Sequence, residues 1–103
     1  KFVSTELQFC GLVMGDHCKT GISTMFNSGT TAGVCSNIFG VSYQRNFIPS
    51  FVWGGTSGFR KHKLSEALDT ARAVYARRNL PFDAVEENIF KYVFEHTSDN
   101  RLL

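Results

Sequence analysis

Apolar residues follow two different rhythms along this chain: every sixth position over residues 14–38, and helical spacing from residue 64 onward. In the second region Leu64, Ala67, Leu68, Ala71, Val74 and Tyr75, continued by Arg78, recur at i, i+3, i+4 and i+7 and predict one apolar helical stripe. Asn79-Leu80-Pro81 ends that helix, because proline lacks the N–H a helix needs and constrains its predecessor. Asp83 with Glu86 three residues later resembles a capping box. A second helix is then predicted to about His96, with Val85, Ile89, Phe90 and Val93 on its apolar face. Both helices are expected to pack on something rather than to carry chemistry.

Residues 14–37 divide into four hexads, with Ile38 opening a fifth. Position one is Met14, Thr20, Phe26, Ala32 and Ile38; position two is Gly15, Gly21, Asn27 and Gly33; position five is Cys18, Thr24, Thr30 and Ser36. Such a pattern suits a three-sided parallel β-helix. Positions one and five face a narrow interior, and Gly or Asn at position two supplies corners with positive φ. Three hexads close one coil, so residues eighteen apart stack: Met14 over Ala32, Thr20 over Ile38. A Gly/Ser/Thr-rich meander of antiparallel hairpins is the competing reading. The expected fold is mainly β: β-helix end coils over residues 1–40, a covering loop over 41–58, and a two-helix extension over 59–103. The cluster Gly54-Gly55-Thr56-Ser57-Gly58 marks the boundary.

Composition narrows the function classes. The net charge of +2 over 103 residues argues against nucleic acid as the main ligand, although Arg60-Lys61-His62-Lys63 forms a local basic run. No apolar run approaches a membrane span. Three cysteines, Cys10, Cys18 and Cys35, without CxxC spacing suit reduced thiols in a cytoplasm. The start at Lys1 reads as a piece of a longer protein. Ten Phe in so short a chain need a core or a subunit interface.

Several runs carry a family likeness. They are Gly15-Asp16-His17-Cys18-Lys19-Thr20-Gly21-Ile22-Ser23-Thr24-Met25-Phe26-Asn27-Ser28-Gly29-Thr30, then Gly33-Val34-Cys35-Ser36-Asn37-Ile38-Phe39-Gly40, and Phe47-Ile48-Pro49-Ser50-Phe51-Val52-Trp53-Gly54-Gly55. Together with Ala76-Arg77-Arg78, these resemble Bacteroides-type bacterial relatives of the bifunctional N-acetylglucosamine-1-phosphate uridylyltransferase/glucosamine-1-phosphate acetyltransferase family. The resemblance implies a left-handed β-helix that forms a homotrimer behind a nucleotidyltransferase domain absent from this chain. It implies nucleotide and sugar-phosphate substrates for the whole protein, Mg²⁺ in the absent domain only, and acetyl-CoA as a possible acyl donor. The family's usual acetyl-transfer segment is also missing here.

Within that frame His17 is the candidate general base, since a near-neutral imidazole can deprotonate an amine attacking a thioester. The order Gly15-Asp16-His17-Cys18 matches the pattern of related sugar acyltransferases inexactly, and a surface histidine bonded to a neighbouring coil is the commoner role. Lys19, Asn27 and Asn37 are candidate substrate contacts, with turn geometry the commoner role for the two asparagines. Lys19 and the basic run at 60–63 could meet phosphates, or form a solvated face. Cys35 should lie beneath His17, but direct attack needs no cysteine nucleophile. Zinc is disfavoured, because His17, His62 and His96 lie in separate segments. Phe47, Phe51 and Trp53 are expected to cover the core. Two functions follow: an acyl-transfer module, or a non-catalytic trimerisation module of a nucleotidyltransferase.

Overall fold

The computed structural model describes residues 4–8, 10–40 and 42–101. Seven short strands precede two helices: β1 Val13–Met14, β2 Lys19–Thr20, β3 Thr31–Ala32, β4 Asn37–Ile38, β5 Phe47–Ile48, β6 Val52–Gly55 and β7 Gly58–Lys61, then α1 Leu64–Arg77 and α2 Ala84–His96. A 3₁₀ turn, Ser98–Arg101, follows. One sheet has the order β1-β3-β5, all parallel; the other has the order β2-β4-β6-β7. In the second sheet β7 alone runs antiparallel.

The two stacking pairs anticipated from the hexads form: Met14 opposite Ala32, and Thr20 opposite Ile38. The left-handed parallel β-helix does not. The strands make one three-stranded and one four-stranded sheet, and the third side shows only an isolated bridge between Met25 and Tyr43 among the described residues. The rhythm also contracts. Ala32 pairs with Ile48 and Ile38 with Gly54, sixteen rather than eighteen residues on. At Gly55 the chain then reverses into β7, which parallel coils cannot accommodate. Nor is the chain mainly β, since α1 and α2 hold 14 and 13 residues while no strand exceeds four. Residues 41–58, expected as a covering loop, contain β5 and β6.

The glycines act differently from the sequence expectation. Positive φ falls on position four of the hexads, at His17, Ser23, Gly29 and Cys35, rather than on position two. Position two is glycine for closeness. A Cβ on Gly15 would lie 2.9 Å from the Gly33 carbonyl carbon, and one on Gly33 would lie 2.2 Å from Ser50 Oγ. Turn is therefore stacked on turn with no room for a side chain between them. Two of the small polar residues at position five are buried with partners: Thr30 Oγ1 donates to the Asn27 carbonyl and Ser36 Oγ to the Pro49 carbonyl.

Two apolar clusters result. Ala32, Ile38, Ile48 and Val52 fill the space between the sheets, with Cys18, Phe26 and Phe59 at its margin. Cys35, Phe51, Ala67, Leu68, Ala71 and Phe90 seat the helices against the turns. The α1 stripe packs as expected, and Asp83 caps α2 by accepting from the Glu86 N–H at 3.1 Å. The buried face of α2 is shifted, however. Phe90, Val93 and Phe94 meet the core while Val85 and Ile89 stay exposed. Among the described residues no helix is long and apolar enough to cross a membrane.

Candidate functional site

Cross-strand register places four side chains in a single row over the second sheet. Lys19 on β2 pairs with Asn37 on β4, Asn37 with Trp53 on β6, and Trp53 with Arg60 on β7. The neighbouring row is Thr20, Ile38, Gly54 and Phe59. Because successive strand residues face opposite sides, that second row points into the core and the first away from it. Polar and cationic groups thus share one face with the only tryptophan.

At the β2 end of this row lies a recess of about 10 Å³ lined by His17, Lys19, Cys35, Asn37, His62, Ala67, Thr70 and Ala71. Three of the four sequence candidates therefore meet. Asn27 does not join them. It occupies the turn before β3, where its carbonyl accepts from the Thr30 N–H at 3.2 Å and from Thr30 Oγ1 at 2.7 Å.

His17 points away from the sheets, but the helices occupy that side. Its ring lies 4.9 Å from the Phe90 ring and 5.9 Å from the Tyr75 ring, centroid to centroid. Burial, reinforced by Lys19, holds the imidazole below its ordinary value, against smaller opposing effects of Asp16 and Glu86. The ring is neutral at neutral pH and packed on two aromatic neighbours. Cys35 stays a thiol, since burial pushes it up to about 12, and its N–H donates to the Asp16 carbonyl at 3.0 Å. A thiol so protonated does not serve as a nucleophile.

The β7 end of the row is roomier. A cavity of about 300 Å³ is lined by Trp53, Arg60, Lys61, His62, Lys63 and Glu66. His62 is buried, and its Nδ1 lies 3.1 Å from the Cys35 carbonyl, which fixes Nδ1 as the protonated nitrogen. Its ring stands 5.5 Å from that of Trp53, steeply inclined to it. Among the described residues every ion pair involves Asp69, Arg72, Glu87 or Lys91, so Arg60, Lys61 and Lys63 are unpaired cations. Lys63 is also the N-cap of α1 and offers no side-chain acceptor to the first turn.

From sequence, the run holding Arg60 and His62 reads as phosphate-binding or a solvated face and Trp53 as a cover for the core; that Trp53 faces Arg60 is not among those readings, although a signal exists. A hairpin turning at Thr56-Ser57 between Gly55 and Gly58 fixes Trp53 opposite Arg60 by counting outward from the turn. Among the described residues no group of three or more His, Cys, Asp or Glu converges as a metal site. Comparison of the chain with protein-family models, with curated proteins and with solved structures gives no match.

Proposed function

We propose that this chain is a non-catalytic assembly module: one end of a stack of short parallel strands, serving a homotrimeric enzyme of the sugar-1-phosphate nucleotidyltransferase class. One observation carries the assembly role. β1 and β2 are edge strands, and the rung they begin exposes Leu12, Val13, Met14, Ile22 and Met25 together. The next rung is closed, with Ala32 3 % and Ile38 1 % exposed. An apolar rung with an unpaired backbone edge is a surface that further polypeptide covers. The far edges differ: β5 and β7 end the two sheets there, but Ile48 of β5 is buried and β7 presents Arg60 and Lys61 rather than an apolar row.

The enzyme class rests on the sequence resemblance alone, and with it the substrates and Mg²⁺ of the nucleotidyltransferase domain. Acyl transfer from acetyl-CoA is not part of the proposal. The recess beside His17 holds about one water, and the ring is committed to Tyr75 and Phe90.

Sedimentation velocity over a range of concentrations tests the assembly role. Association that strengthens with concentration, and is lost in a Val13→Lys/Met14→Glu variant with unchanged helical circular dichroism, is the expected result. A chain that stays monomeric throughout, or an association the double variant leaves intact, refutes it.

A further inference from the structure

We infer that the outer face of the β6–β7 hairpin, with the entrance to α1, binds a small phosphate ester carried on a flat aromatic ring, that is, a nucleotide. Three independent features converge there. The first is shape: a cavity of about 300 Å³ opens beside Trp53, Arg60 and Lys63. A second recess, bounded by Phe39, Trp53, Gly54 and Arg60, lies on the other flank of the same two side chains. Trp53 and Arg60 are therefore the wall common to both.

Charge is the second feature. Arg60, Lys61 and Lys63 line the cavity without an ion-pair partner among the described residues, and Glu66 is the one carboxylate lining it. Lys63 sits where the helix dipole is positive, so cation and dipole oppose one another. An anion in the cavity satisfies both, and the guanidinium of Arg60 can hold a phosphate by two parallel hydrogen bonds.

The third feature is the ring. Trp53 is 38 % exposed although its strand lies inside the four-stranded sheet, paired with β4 on one side and β7 on the other. Phe39 and His62 hold it at 6.2 and 5.5 Å with steep interplanar angles of 77° and 68°. His62 cannot swing away, since its Nδ1 is bonded to the Cys35 carbonyl. A fixed, partly bare indole beside unpaired cations recognises a flat ring bearing phosphate. The site lies at the β7 edge, across the sheet from β2, so it stands or falls separately from the assembly role.

Because Trp53 is the only tryptophan, its fluorescence reports on the two recesses it borders and on no other part of the chain. Titrating the chain with ADP is expected to quench that emission saturably, with half-saturation below about 1 mM. Inorganic phosphate should compete weakly and adenosine weakly, each binding less tightly than ADP. An Arg60→Gln/Lys63→Gln variant, confirmed folded by its thermal melt, should lose affinity by about tenfold or more. Calorimetry with Trp53→Phe should show weakened ADP binding and unchanged phosphate binding. The inference is overturned if ADP gives no saturable response, if the double variant binds ADP as wild type does, or if inorganic phosphate binds as tightly as ADP.

Discussion

His17, in the left-handed region at φ 61°, sets its ring 4.9 Å from that of Phe90 in α2. That contact joins the turn between β1 and β2 to the helical pair, whose other anchors are Cys35 and Phe51. The residue best suited by type to be a base is thus part of the packing that holds helix to sheet.

Phe90 is the one buried residue of α2, so its truncation should be severe. Phe90→Ala is expected to cost about 3–4 kcal/mol by lost burial and the cavity left behind. Urea denaturation followed by helical circular dichroism measures it; a loss within about 1 kcal/mol would mean that the helices dock independently of this ring.

Acid should weaken the same junction. The groups facing His17 are Lys19, Asp16 and Glu86, and burial dominates in holding its folded pKa below the ordinary imidazole value of 6.5. The unfolded chain then binds a proton more readily than the folded one. This stability is fully present above the unfolded value and is lost as pH falls below it toward the folded value. Melting temperature should therefore drop between about pH 7.5 and 5. His17→Asn, which tolerates the left-handed backbone, should flatten that drop. An unchanged slope in the variant would place the titration elsewhere.

Stacked turns leave no room at Gly33, where an added Cβ would lie 2.2 Å from Ser50 Oγ and 2.6 Å from Ser50 N. The second contact is to backbone and cannot be relieved by a rotamer. Gly33→Ala should destabilise by roughly 3 kcal/mol, whereas Gly29→Ala, with open space around it, should lose only what its positive φ of 87° demands. Equal losses at the two sites in chemical denaturation would contradict steric stacking as the reason for glycine at 33.

The cap on α2 is a smaller effect. Asp83 accepts from the Glu86 N–H at 3.1 Å, so Asp83→Ala should cost about 1 kcal/mol and Asp83→Ser very little. Thermal melts of the two variants separate a cap from a general charge effect, since serine keeps the acceptor without the charge.

Much of the helical half was legible from sequence because its signals are local. The helix α1 ends just before Asn79-Leu80-Pro81, Asp83 starts α2, and the stripe from Leu64 to Ala71 packs as spaced. The eighteen-residue pairs Met14–Ala32 and Thr20–Ile38 were also readable, since a repeated short pattern fixes its own first register. Of the candidate residues, His17, Lys19 and Asn37 come together, but only the fold shows that the space between them is a water's width.

Sequence alone determined where the first helix ends, where the second begins and ends, and which residues of the first two rungs face one another. Tertiary structure decided the rest: the contraction to sixteen residues at Ile48, the reversal into β7, and the row joining Trp53 to Arg60. It also decided that Phe94 rather than Val85 meets the core. Those outcomes depend on which distant segments pack together. The energy of a residue's own neighbourhood settles a cap or a stop, but not the partner it meets across the fold.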